Sequence, residues 1–235
     1  MEREWHLLAE RMVLLMAQHP PPPTWVGWSV ISTDYTPNFT LWYTGLPGTG
    51  KTTLASLVRQ HLLARGYQAE IIDRHALTRW LQEEMHLDEP IAHDQSHTLG
   101  YDAFITYLCT LLTRNGIISI TTSVSPYREA RKYAREHLSP FIEIYLSCAS
   151  AVRQDRLLRL EHIPQMDEQL YQPPLSAELS INTELELPER SALRIIDYLE
   201  LHSYITPLWE EPYREASEEE IDSIKARLRA LGYLE

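Results

Sequence analysis

A chain of 235 residues, 44% hydrophobic and 23% charged, can build one sizeable domain with appendages and is too apolar to be disordered. Its formal charge of −12 and pI near 5.3 argue against a nucleic-acid-binding surface, which needs clustered Lys and Arg, yet leave room for a local basic funnel around a small anion. Two cysteines, Cys109 and Cys148, make neither a disulfide framework nor a zinc site; with no apolar run of bilayer length, a cytoplasmic protein without a membrane partner is expected.

The first expected element is a helix over Glu2–Gln18, with Trp5, Leu8, Met12 and Leu15 at three- and four-residue spacing. Pro20–Pro23 end it and begin an extended connector. The helix carries Glu2, Glu4 and Glu10 on its polar face, which favours docking on protein over docking on a membrane. Trp25–Asp34, aromatic and β-branched, reads as an added strand or hairpin.

From Phe39 the pattern becomes regular. Strands are expected at Phe39–Thr44, Gln68–Asp73, Ile117–Val124, Phe141–Ser147 and Glu178–Asn182. Helices are expected between and after them, at Gly50–Arg65, Ala76–Met85, Gln95–Arg114, Tyr127–His137, Ala149–Leu160 and Pro188–His202. Such alternation predicts an α/β fold of three layers, a mainly parallel sheet covered on both faces. Glu161–Pro174, with Pro164, Pro173 and Pro174, interrupts the rhythm where a lid could lie. A final helix is expected over Ser217–Leu231, with Ser217 and Glu220 in capping-box register. The chain thus divides into an N-terminal segment (1–38), an α/β domain (39–205) and a helical C-terminal extension (206–235).

Gly45-Leu46-Pro47-Gly48-Thr49-Gly50-Lys51-Thr52 fits the P-loop pattern completely, and Thr53 continues it into the helix. The glycines let backbone N–H groups turn inward around a phosphate, at a helix N-terminus that adds positive potential. Lys51 is placed to follow the β- and γ-oxygens of ATP, and the Thr52 hydroxyl to hold Mg²⁺. No Asn-Lys-x-Asp guanine-reading sequence occurs, and the α/β region is short, as suits a kinase with a small acceptor. Asp73, at the end of the second strand, is expected to hold a Mg²⁺-bound water or to take the proton of the attacking hydroxyl; the competing assignment is a helix N-cap.

With these residues placed, Phe39 to His202 resembles the adenylylsulfate kinase family, a P-loop kinase fold that phosphorylates the 3′-hydroxyl of adenosine 5′-phosphosulfate. The most specific stretch is Gly116–Ile120 running into Ser125-Pro126-Tyr127-Arg128-Glu129-Ala130-Arg131. Phe141–Cys148, Arg156, Pro173-Pro174 and Glu178–Thr183 also match in order. The resemblance implies ATP and Mg²⁺ as cofactors, Ser125, Pro126 and Arg128 on the acceptor side, Arg156 near the ATP base, and a homodimer. From the residues alone, Arg128 and Arg131 serve equally well in helix-surface ion pairs with Glu129 or Glu136.

The departures fall on the acceptor side. Where the family has Asp-Gly-Asp-Asn-x-Arg, this chain has Asp73-Arg74-His75-Ala76-Leu77-Thr78. His75 replaces a carboxylate and Thr78 an arginine; Arg79 is the nearest substitute, though one step along a helix turns a side chain by about 100°. Asp94–Tyr101 contains no arginine where the family has several, and the lid lacks the family's Phe-Thr-Gly-Ile-Asp sequence. His93 and His97 share helical spacing but no third metal ligand joins them, which favours a solvated face or an acceptor-site role. Besides the family reaction, the sequence therefore leaves two readings: a kinase for another small alcohol or nucleotide, or an ATP-binding regulatory protein without catalysis.

Overall fold

Residues 38–85, 95–159 and 168–207 are described by the structure, a computed structural model. The chain divides into a unit Met1–Tyr35 and a unit Thr36–Glu235. The expected N-terminal helix, the Trp25–Asp34 strand, His93, the first half of the lid and the Ser217–Leu231 helix lie outside the described residues. So does the side chain of His97.

Five strands, β1 (Thr40–Thr44), β2 (Ala69–Asp73), β3 (Ile118–Thr122), β4 (Phe141–Ser147) and β5 (Leu179–Asn182), form one sheet in the order β2-β3-β1-β4-β5. Every pairing is parallel. The helices are α1 (Lys51–Ala64), α2 (Arg74–Met85), α3 (Gln95–Arg114), α4 (Arg128–His137), α5 (Ser150–Leu158) and α6 (Pro188–Leu201), with a short 3₁₀ turn at Glu168–Leu170. Expected and observed bounds differ by one or two residues. One of the two-residue differences is at α2, which begins at Arg74 instead of Ala76. Asp73 both ends β2 and receives the Ala76 N–H on its carboxylate at 3.0 Å, which lets the helix start directly after the strand. Among the described residues no helix is long and apolar enough to cross a membrane.

Side chains alternate across a strand, and here the two faces differ in kind. Leu41 and Tyr43 of β1, Ile118 and Ile120 of β3, and Ile142, Ile144 and Leu146 of β4 join one apolar cluster. Leu54, Val58 and Leu62 of α1 and Ile195, Ile196 and Leu199 of α6 close over it, and α1 packs directly on α6. Each such side chain withdrawn from water contributes roughly 1.5–3 kcal/mol before chain entropy is counted. The opposite face carries Thr40, Trp42, Thr44, Ser119, Thr121 and Glu143, all buried, with α3 packed on β3 and α4 on α3. There the buried polar groups must find each other: the Thr40 and Ser119 hydroxyls meet at 2.7 Å. Trp42 packs 5.7 Å from Phe141, a structural role in keeping with its burial.

The strand order places β1 at the point where the connections part. β1 leads to β2 and β3 on one side; β3 then crosses to β4 and β5 on the other. Ligands of open parallel sheets bind at the carboxyl ends of strands at such a point, which is where the Gly45–Thr52 loop lies.

Candidate active site

The loop after β1 turns on glycine. Gly48 has φ +80°, and a Cβ there would stand 2.9 Å from the Arg153 carbonyl oxygen, a backbone atom that cannot swing away. A Cβ at Gly45 would stand 2.4 Å from the Leu146 carbonyl oxygen. The Thr49 side chain braces the turn by donating to Leu46 O at 2.8 Å. Lys51 opens α1 and folds back over the loop, its ammonium donating to Gly45 O at 2.7 Å and Leu46 O at 3.0 Å. The residue is half-buried overall, but its charged end lies inside this curl. Desolvation lowers its pKa to about 7; nearby Asp73 raises it and Arg153 lowers it further.

Thr52 and Asp73, distant in sequence, meet at the end of β2. The Thr52 hydroxyl donates to Asp73 Oδ2 at 2.9 Å, and the Thr122 hydroxyl donates to the same oxygen at 2.6 Å. Burial works to raise the Asp73 pKa, but bonds from Thr122, Ala76 N–H and Thr52 outweigh it and hold the group below the usual carboxylate value. Oδ1 thus caps α2, and Oδ2 is bonded to the Thr52 hydroxyl at the end of the loop. A hydroxyl and an ionised carboxylate side by side are hard oxygen donors that suit Mg²⁺, which takes few protein ligands and completes its shell with water and phosphate. Among the described residues no group of three His, Cys, Asp or Glu could hold a metal ion.

Arg156, expected near the ATP base, donates from α5 to Gly48 O at 3.3 Å, Thr183 Oγ1 at 3.0 Å and Thr183 O at 2.9 Å. With Gly50, Thr53, Leu54, Thr183 and Glu186 it lines a cavity of about 220 Å³ beside the loop.

On the other side of Lys51, the turn after β3 is built on a residue the sequence reading passed over. Asp102 of α3 is fully buried, and its carboxylate receives the Ser125 hydroxyl at 2.7 Å and the Ser123 hydroxyl at 3.2 Å. Burial pushes its pKa up; Arg74, the two serines and Arg131 pull the other way. Ser125 itself holds φ +44°, a left-handed conformation that a side chain adopts at a cost. Its environment fixes it there: its N–H donates to Ser123 Oγ at 3.2 Å, and its carbonyl receives Arg131 Nη1 at 2.5 Å.

Arg131 corrects an expectation. It is not a helix-surface residue paired with Glu129 or Glu136 but is 3% exposed, bonded to Glu143 of β4 at 2.7 Å and to Gln172 O at 2.6 Å. Arg128 is exposed and donates to Pro173 O at 2.7 Å. Gln172 N–H meets Pro126 O at 2.9 Å, and the Tyr171 and Thr44 hydroxyls meet at 3.0 Å, so the Ser125–Arg128 turn, the end of β1 and the 171–173 segment are stitched together. His75 and Arg79 lie exposed on α2. Arg74, half-buried, places its guanidinium 5.1 Å from the centre of the Tyr101 ring. The structure therefore bonds Thr52 directly to Asp73, folds Lys51 onto the loop carbonyls of Gly45 and Leu46, sets Arg156 on the opposite flank, and buries Ser125 in the turn after β3. The missed residue, Asp102, carried one faint signal: a carboxylate inside the otherwise largely apolar run Tyr101–Leu112 of α3.

Comparison with known proteins bears on the same span. Residues 37–182 match the family model described as adenylylsulphate kinase. The adenylyl-sulfate kinase of Halothermothrix orenii is 33% identical over 175 residues, covering 71% of this chain and 91% of that protein. Among solved structures, the adenylylsulphate kinase of Mycobacterium tuberculosis in complex with AMPPNP and APS aligns with a TM-score of 0.58 at 24% identity, covering 69% of this chain and 98% of that one. A hexameric APS kinase from Thiobacillus denitrificans aligns at 0.55 with 23% identity, over 81% of this chain and 32% of that one; at these identities both likenesses speak to the fold.

Proposed function

The chain belongs to the adenylylsulphate kinase family, and on that premise we propose that it transfers the γ-phosphoryl group of ATP to a hydroxyl of a small molecule, with adenosine 5′-phosphosulfate as the first acceptor to test. The observation that carries this reading is the junction of Lys51, Thr52 and Asp73 at the carboxyl ends of β1 and β2. The Gly45–Thr52 backbone and Lys51 would bind the phosphates, and the arginine flank with Thr53 and Thr183 would receive the base. Lys51 exchanges its two loop carbonyls for phosphate oxygens and stabilises charge as it develops. Thr52 and Asp73 would hold Mg²⁺, which neutralises the phosphate charge when bound. Asp73 also stands where it can orient the attacking hydroxyl and accept its proton.

A second reading keeps the chemistry and changes the alcohol. It is favoured by one observation: two cations of the acceptor side, Arg128 and Arg131, are already committed to protein oxygens. Arg131 is bound to Glu143, Ser125 O and Gln172 O, and Arg128 to Pro173 O, while Thr78, which turns its hydroxyl to Arg74 O, stands where the family has an arginine.

The deciding experiment is coupled ADP release from the full chain with MgATP, with and without adenosine 5′-phosphosulfate, beside Lys51→Ala. Stimulation by that acceptor, lost in the variant, is the expected result. ATP binding that depends on Lys51 without stimulation would reject this acceptor and move the search to other alcohols.

A further inference from the structure

Lys51 is not the only buried cation at the loop. Arg153, on α5, lies directly under Gly48: a Cβ on that glycine would come 2.9 Å from Arg153 O and 3.3 Å from its Cα. Its side chain is 4% exposed. One end, Nη2, is paired with Glu168 Oε2 at 2.7 Å, and Glu168 is itself half-exposed on the 3₁₀ turn. Nε, buried, has no hydrogen-bond partner among the described residues. A guanidinium offers five donors in a fixed plane, so leaving one of them dry and unmet is costly unless a ligand completes the set.

Its neighbourhood says what kind of ligand. Arg153 stands near enough to Lys51 to press on the ammonium's charge. Like charges repel, and the carboxylate that meets Arg153 among the described residues is half-exposed to solvent. Arg156, one turn further along α5, donates to Gly48 O, so the same helix meets this glycine with the backbone of Arg153 and the guanidinium of Arg156. An oxyanion of high charge between Lys51 and Arg153 would relieve the repulsion and satisfy the orphaned donor together, and Arg is suited to binding phosphate oxygens in pairs.

We propose that Arg153 binds the phosphates of ATP alongside Lys51, and that Glu168 is the counter-ion that occupies it until the nucleotide arrives. The inference rests on the reading of the loop as an ATP site. No bond is made or broken in the exchange: the guanidinium leaves a carboxylate for phosphate oxygens.

Titration of the full chain with MgATP and with AMP, beside melting curves, tests it. Arg153→Ala is expected to weaken ATP tenfold or more while AMP changes less than twofold, and Arg153→Lys to fall between. Glu168→Gln is expected to tighten ATP several-fold, and to do nothing when combined with Arg153→Ala. A strut between α5 and the 3₁₀ turn would behave differently: Arg153→Ala and Glu168→Gln would both lower the melting temperature and weaken ATP and AMP alike. That result, or ATP affinity in Arg153→Ala within twofold of the parent, overturns the proposal. If Arg153→Ala does not fold, Arg153→Lys and Glu168→Gln decide on the same criteria. Lys51→Ala separates the two levels. ATP binding that needs Lys51 but not Arg153 defeats this inference alone, whereas binding that needs neither defeats the ATP reading beneath it.

Discussion

The two flanks of Lys51 are made by different means. The donor flank is a contiguous loop whose shape follows from backbone freedom: Gly45, Gly48 and Gly50 all take positive φ, and most of the contacts are to main-chain atoms. The acceptor flank is assembled from side chains far apart in sequence. Asp102 of α3 holds Ser125; Arg131 of α4 ties Ser125 to Glu143 of β4 and to Gln172. The contrast teaches that a backbone-coded site survives wholesale change around it, whereas a side-chain network is retuned by each substitution. In this chain the loop keeps the P-loop pattern throughout, while the other flank keeps the Ser125–Arg131 stretch that carries the family resemblance and departs from it at His75 and Thr78.

The sharpest break between the flanks should come from Lys51→Ala. Loss of the cation that follows the developing charge is expected to lower kcat/KM roughly 10²–10⁴-fold, about 3–5 kcal/mol, with the melting temperature nearly unchanged. Activity within tenfold of the parent in coupled ADP release would place the donor site elsewhere. Next, Gly48→Ala should cost about 2–3 kcal/mol, because it adds both a left-handed alanine and a collision with the Arg153 backbone. Urea denaturation measures that cost, and a neutral outcome would mean the loop is not held as described.

Asp102→Ala tests the acceptor flank. It leaves the Ser123 and Ser125 hydroxyls unmet inside the protein and should cost about 1–3 kcal/mol. Its isostere Asp102→Asn reports the electrostatics. Because burial raises the Asp102 pKa on folding, its contribution is full in acid, below the unfolded value, and is lost as pH rises through the folded value. The stability advantage of the parent over Asp102→Asn should therefore shrink from acid toward neutral pH; a gap that widens would reverse the assignment.

The smallest effect belongs to Glu178→Gln. Glu178 receives Arg135 at 2.6 and 2.8 Å and the Glu143 N–H at 2.7 Å. Burial works to raise its pKa, but these partners win and lower it. Its contribution is present above the unfolded value and lost as pH falls through the folded one. With Arg135 39% exposed, about 1 kcal/mol is expected near neutral pH and none in strong acid. An undiminished difference in acid would show that the carboxylate charge is not what matters.

What the sequence determined by itself was whatever depends on nearby residues. The alternation of strand and helix from Phe39 onward, the P-loop with its glycines, and the β2 end at Asp73 were all legible, because period, turn chemistry and backbone freedom act over a few positions. The helix-cap assignment for Asp73 is met by Oδ1, while Oδ2, bonded to the Thr52 and Thr122 hydroxyls, is the oxygen left for the proposed metal or base role. Tertiary structure alone decided how Asp102, Arg131 and Arg153 are used. Each sits in a helix whose local pattern is equally compatible with a solvated face; each is buried because the parallel sheet brings another element against it and supplies its partner. A buried charge is defined by the partner that compensates it, and partners 12 to 23 residues away leave no periodic trace in the chain.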